Sequence, residues 1–227
     1  MLTVKNLSKR FEDTIVLDDL SFTIPSQSIV GLTGKNGIGK TTMLNILGGI
    51  SKYEGDISFE DNEMKSNFKK YIQKTSLITN LPFMYEFLTM DEMIDLIISL
   101  SGEASQEKVM FKRKMVELLN LEPFTSQLIK NLSLGTKQKV HFIISFINRP
   151  KLILIDEPFV NFDETSLENV LGFLKSYTID SESITIFSTH SKEKSIQDII
   201  THNLHIKSSN EITLEGIEVA CNLRKPF

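Results

Sequence analysis

One eight-residue stretch constrains this chain more than any other: Gly34-Lys35-Asn36-Gly37-Ile38-Gly39-Lys40-Thr41. It fits the pattern G-x-x-x-x-G-K-[ST], and its surroundings suit that pattern. Before it, Pro25-Ser26-Gln27-Ser28 is turn chemistry and Ile29-Val30-Gly31-Leu32 is a short apolar run, as in a strand buried on both faces. After it, Thr41-Thr42-Met43-Leu44-Asn45-Ile46-Leu47 suits a helix. Bare glycines let the backbone curl so that the N–H groups of residues 34–39 turn inward on phosphate oxygens. The helix beginning near Lys40 aims its positive end at the same place. In such a loop Lys40 reaches the β- and γ-phosphates of a nucleotide, the Thr41 hydroxyl ligates Mg²⁺, and Thr42 completes the set.

A second signal is Asp156-Glu157, which ends the apolar run Leu152-Ile153-Leu154-Ile155. A carboxylate at the end of a buried strand is costly unless a cation meets it. Mg²⁺ held between Thr41, Asp156 and the phosphates supplies that cation, and Glu157 is then placed to activate a water against the γ-phosphate.

The order of elements gives the fold class. Leu2 to Leu7 and Leu20 to Ile24 alternate as half-buried strands, and Tyr53 to Phe59 turns into another. Between Met90 and about Leu121, apolar residues fall at helical spacing in two runs parted by Ser101-Gly102-Glu103-Ala104-Ser105. A helix follows Ser133 and ends before Pro150, and a further helix near Thr165 to Tyr177 leads to the apolar run Ile184 to Ser188. Strands alternating with helices, with polar residues just past each strand end, predict an α/β protein with a mainly parallel sheet. The site is expected at the carboxyl edge of that sheet. An antiparallel β region precedes it, and an α-helical subdomain is inserted at about residues 81–133. The core comprises residues 1–80 and 134–205, and a short C-terminal β pair and tail covers 206–227, all in one domain.

Composition excludes several alternatives. Of 227 residues, 25 are Lys or Arg and 29 are Asp or Glu, so no broad basic face for nucleic acid is expected. The single cysteine, Cys221, can form neither an internal disulfide nor a zinc cluster, as in a reducing compartment. The N-terminus lacks a signal-peptide apolar stretch, and no window approaches the roughly 18 apolar residues of a membrane span. A cytoplasmic chain is expected, with any membrane role exercised through a partner.

Between the two phosphate-site motifs lies Asn131-Leu132-Ser133-Leu134-Gly135-Thr136-Lys137-Gln138. Leu-Ser-x-Gly alone is an N-cap pattern, but in this order it resembles the signature of the ATP-binding cassette (ABC) ATPases. The resemblance runs from the first strands to about His190 and points to the nucleotide-binding subunit of an ABC transporter. It implies a P-loop ATPase core in which Ser133 and Gly135 clamp the γ-phosphate of ATP bound to a second copy. Phe11 stands where the family stacks an aromatic on adenine; an ordinary core phenylalanine is the equal alternative. Asp163 resembles the loop aspartate that crosses the dimer interface, and His190 the switch histidine that contacts the γ-phosphate. The segment Leu81 to Phe87 is a candidate contact with a membrane permease, or else packs the subdomain.

Three positions depart from the family pattern. Leu134 replaces the usual glycine, Thr136 the usual glutamine, and Asn80 stands where a glutamine ligates Mg²⁺. The function expected from the resemblance is an ATP-binding and ATP-hydrolysing subunit, working as a homodimer or pseudo-dimer on a separate permease. It would lie on the inner face of the cell membrane, and Leu134 inclines the direction towards export. The competing class is a soluble or regulatory ABC ATPase not coupled to transport.

Overall fold

The computed structural model describes residues 1–80, 83–102, 105–157, 161–189 and 193–217. The chain forms β1 (Leu2–Phe11), β2 (Thr14–Ile24), β3 (Ser28–Gly34), α1 (Lys40–Leu47), β4 (Glu54–Phe59), β5 (Asn62–Glu63), α2 (Phe68–Gln73) and β6 (Thr75–Ile78). Then come α3 (Met90–Leu100), α4 (Gln106–Leu118), α5 (Leu134–Phe146), β7 (Leu152–Ile155), α6 (Glu164–Asp180), β8 (Ile184–Ser188), α7 (Lys194–Gln197), β9 (His202–Ser208) and β10 (Glu211–Gly216).

Two sheets result. The N-terminal strands make an antiparallel sheet in the order β2-β1-β4-β5. The second sheet runs β10-β9-β3-β8-β7-β6, parallel throughout except for the β9–β10 hairpin. The expected α/β class with its antiparallel region is therefore present, as are the helices around residues 90–118, 134–146 and 164–180. Four elements have no counterpart in the sequence reading: β5, α2, β6 and α7. The four residues Thr75-Ser76-Leu77-Ile78 form the sheet's edge, and only Ile78 is buried, so no apolar run marks them.

Alternation along the central strands divides the apolar core in two. Ile29, Ile153, Ile155 and Phe187 face α3, α5 and α6 and pack with Met90, Ile94, Val140, Ile143 and Leu174. Val30, Leu32, Leu152, Leu154, Ile184 and Ile186 face the other way, onto α1 and the antiparallel sheet. The helical segment therefore sits on one face and the phosphate-loop helix on the other. Local chemistry fixes where the helices start. Thr89 and Glu92 close a reciprocal capping box on α3, and Ser105, Ser133 and Asp163 each accept a backbone N–H at the start of α4, α5 and α6.

On α5, His141 is half-buried beside the end of β6, hydrogen-bonded to the Thr79 backbone, with no partner for its buried Nδ1. Burial is the main cause, pushing its pKa down from 6.5 to about 4. The neutral ring is the one that fits, so folding opposes protonation. This contribution to stability is full above the unfolded-state value and drains away as pH falls from 6.5 towards 4. The loss expected is on the order of 2 kcal/mol, discounting the shift for the ring's residual exposure. Urea unfolding at pH 7 and pH 4.5 should show a smaller pH effect in His141→Gln than in the native chain; equal effects would refute the assignment.

Candidate nucleotide site

The loop between β3 and α1 is built on backbone conformations that favour glycine. Gly34, Gly37 and Gly39 take φ of 148°, 76° and 113°. Space matters too: a Cβ on Gly34 would lie 2.7 Å from the Ile206 carbonyl oxygen, and one on Gly39 would lie 2.9 Å from Val16 Cγ1. Lys40 opens α1 and is nearly buried, at 7% exposure. Its Nζ donates to the carbonyls of Gly34 at 2.9 Å and Lys35 at 3.1 Å, so the loop wraps around the ammonium. Burial lowers its pKa, against the opposing pull of Glu157 and Asp156. Lys35, Asn36 and Gly37 are exposed, as is Thr41, while Ile38 and Thr42 are half-buried.

The acid pair lies two strands away along the same edge, because β8 is inserted between β3 and β7. The Ser188 hydroxyl donates to Asp156 Oδ1 at 2.8 Å, and its Oγ in turn accepts from the Glu157 backbone N–H at 2.7 Å. Glu157 has φ of 48°, which turns its exposed side chain away from the strand direction. Asn80, just past β6, donates from Nδ2 to Glu157 Oε2 at 3.3 Å. Lys40, Asp156, Glu157 and Asn80 are thus gathered at one carboxyl edge. The set of oxygen donors here, a hydroxyl, a carboxylate and a side-chain amide, suits a hard cation such as Mg²⁺. Among the described residues there is no cluster of three His, Cys, Asp or Glu side chains, so such a cation would depend on phosphate oxygens as well.

The remaining residues divide. Ser133 and Gly135 lie at the start of α5, where Ser133 Oγ accepts from the Thr136 N–H at 3.1 Å and pairs with the Thr136 hydroxyl at 2.8 Å. Leu134 is 43% exposed, its side chain directed outward. Gly135 has a reason inside this chain: a Cβ there would lie 2.4 Å from the Asn161 carbonyl oxygen. Gly→Ala in a helix ordinarily stabilises by up to about 1 kcal/mol. Gly135→Ala is instead expected to cost about 1–3 kcal/mol by overpacking, read as a lower denaturation midpoint. A raised midpoint would refute the contact.

Asp163 is occupied within the chain. It caps α6 through Ser166 and pairs with Lys139 Nζ at 2.6 Å, contacts that hold its carboxyl well below the usual range. Phe11 is 49% exposed at the β1–β2 hairpin, with Lys9 Nζ 4.5 Å from its ring centre, so it is not a core residue. His190 lies outside the described residues, as does Cys221. Three contributors were given no role at the site in the sequence reading: Ser188, Gln138 and Asn161. Gln138 donates to the Asn80 carbonyl at 3.0 Å and accepts from Asn161 Nδ2 at 3.1 Å, tying α5 to the segments after β6 and β7.

A parallel sheet with a glycine loop around a buried lysine, and an acid pair at its edge, defines a P-loop nucleoside triphosphatase. Residues 17–160 match the family model described as ABC transporter. The chain is 30% identical to the lantibiotic transport ATP-binding protein SrtF of Streptococcus pyogenes, covering 83% of this chain and 80% of that protein. It is also 30% identical to the tungstate uptake system ATP-binding protein TupC of Peptoclostridium acidaminophilum, covering 85% and 88%. A solved ATP-binding subunit of an ABC transporter superposes with a TM-score of 0.85 at 25% identity, over 96% of this chain and 90% of that one. The chain belongs to the ABC transporter family and is an ATPase of its cassette type. It spans as little as 62% of the length of the curated relatives it matches.

Proposed function

We propose that the chain is the ATP-driven subunit of an ABC transporter: one cassette domain that binds ATP, pairs with a second copy and drives a separate membrane permease. The observation that carries this reading is the nearly buried Lys40 ammonium, wrapped by the Gly34–Lys40 loop and facing Asp156 and Glu157 across the carboxyl edge. In this reading the loop N–H groups and Lys40 hold the phosphates, Phe11 stacks on adenine, and Asp156, Thr41 and Asn80 face the metal. Thr41, Asp156 and Asn80 would hold Mg²⁺, which would supply charge neutralisation at the phosphates. Glu157 takes a proton from the attacking water, held in place by Asn80 Nδ2. Ser133 and the Gly135 N–H cap the γ-phosphate on the second copy, with His190 and Asp163 at the same junction.

The permease contact is proposed at Phe83, Tyr85 and Phe87. Phe83 and Phe87 are 83% and 80% exposed, and Phe83 meets Tyr85 edge-to-face at 5.6 Å, while Met84 between them is buried. Exposed aromatics grouped this way suit a protein contact. No helix among the described residues is long and apolar enough to cross a membrane, so a separate permease fits. The direction we propose is export, on the Leu134 variant of the signature; the tungstate uptake relative is the counter-instance that a flux measurement must meet.

The test is a tagged pull-down from gently solubilised membranes of the native host, read by mass spectrometry. A stoichiometric polytopic membrane protein is expected. Recovery with ribosomes or only soluble proteins would overturn the transporter reading.

A further inference from the structure

Strand β8 is the innermost strand at the site, with β3 on one side and β7 on the other. Its five residues are all buried. The last, Ser188, pairs with Leu32 of the phosphate-loop strand in register and stands one residue beyond the Ile155–Phe187 pair. At 1% exposure its hydroxyl has no access to water, and both its bonds go to the acid pair. The sense of each bond is fixed by chemistry. The Glu157 N–H can only donate, at 2.7 Å, so the Ser188 proton goes to Asp156 Oδ1 at 2.8 Å.

One oxygen therefore fixes two different things. It orients the Asp156 carboxylate, leaving the other carboxylate oxygen for a cation. It also anchors the backbone of Glu157 in a left-handed conformation that an L-residue otherwise avoids. Without the hydroxyl, a carboxylate oxygen and a strained N–H both lose their partner.

We propose that Ser188 is the positioning residue of the acid pair, setting the metal-facing rotamer of Asp156 and the backbone that aims Glu157. The proposal rests on the reading of Asp156 as metal ligand and Glu157 as general base. Groups that hydrogen-bond a metal ligand typically change metal affinity or activity by about 10–100-fold when removed. Ser188 has that relation to Asp156 and adds a hold on the next residue.

The test uses the full chain with Ser188→Ala, Ser188→Thr and, as a control in the same strand, Thr185→Val. Thr185 is fully buried and pairs with Thr178 at 3.1 Å, so its loss perturbs β8 without touching the acid pair. ATP affinity is measured by calorimetry with Mg²⁺ and with EDTA, alongside turnover. In Ser188→Ala the gain in affinity on adding Mg²⁺ should shrink by about 10-fold and kcat should fall by at least that factor, while affinity in EDTA stays native. Ser188→Thr, which keeps the hydroxyl, should recover both, and Thr185→Val should keep the native Mg²⁺ response even if less stable.

A native Mg²⁺ response and kcat in Ser188→Ala overturn the proposal. So does a Thr185→Val variant that loses the Mg²⁺ response equally, because Ser188 would then act only through the strand. Should Ser188→Ala fail to fold, Ser188→Cys weakens the donor while keeping the shape, and a native Mg²⁺ response in it is equally fatal. Glu157→Gln separates this from the underlying reading. If that variant turns over ATP at the native rate, the assignment of the acid pair falls; if it is inactive while Ser188→Ala is native, only Ser188 falls.

Discussion

Glu157→Gln is expected to bind ATP with near-native affinity while turnover falls by about 10²–10⁴-fold, the span typical for loss of a general base. The substitution is nearly isosteric. It keeps the backbone N–H that Ser188 accepts and an oxygen for the Asn80 amide, so the scaffold of the edge survives. What it removes is the proton acceptor. A chain that binds but cannot hydrolyse should accumulate in its ATP-bound, paired form, seen by size-exclusion chromatography as a second copy retained with Mg²⁺ and ATP. Native turnover would dismiss Glu157 as base. Inactivity without dimer accumulation would keep the base and dismiss the pairing.

Lys40→Ala should act one step earlier, on binding itself. Charged hydrogen bonds contribute roughly 1.5–3 kcal/mol each, so losing the ammonium from the β- and γ-phosphates should weaken ATP by about 10²-fold or more. The truncation also strips the Gly34 and Lys35 carbonyls of the donor around which the loop is wrapped. Calorimetry at micromolar ATP should detect no binding, and a native isotherm would refute the assignment of the loop. The two variants therefore separate: one binds and stalls, the other does not bind.

Much of this site is written locally in the chain. The Gly34–Thr41 loop declares itself because positive φ and close packing demand glycine at fixed offsets. Asp156-Glu157 stands out because acid after a fully apolar run is unusual. The helices after residues 89, 105, 133 and 163 carry Thr, Ser, Ser and Asp at their caps, which periodicity alone could bracket. Ser188, Gln138 and Asn161 were illegible for the opposite reason. A serine ending an apolar strand is common, and its meaning comes from β7, whose last residue is 33 positions away in the chain (188 − 155). Gln138 is a buried amide on a helix, and only the packing of α5 against the ends of β6 and β7 assigns it partners. The reason for Gly135 was also only half visible: the carbonyl of Asn161 that excludes a Cβ belongs to a segment no spacing rule connects to it. Asp163 and Phe11 show the converse, with sequence position suggesting a role and structure adding a capped, ion-paired carboxylate and an exposed ring.

The strand order has a consequence for how the protein is made. The phosphate-loop strand ends at residue 34, but its neighbours β8 and β9 begin at residues 184 and 202. Closing parallel pairs over such separations costs loop entropy before any contact repays it, so the central sheet is intrinsically slow to form. A nascent chain emerging from the ribosome holds the lysine and the glycine loop long before β8 arrives to join them to the acid pair. During that interval β3 and β7 expose bare apolar edges, the kind of surface that invites aggregation. Nucleotide, which binds the finished edge and not the open chain, would then draw folding to completion by mass action, making the fuel of the machine also a ligand for its assembly.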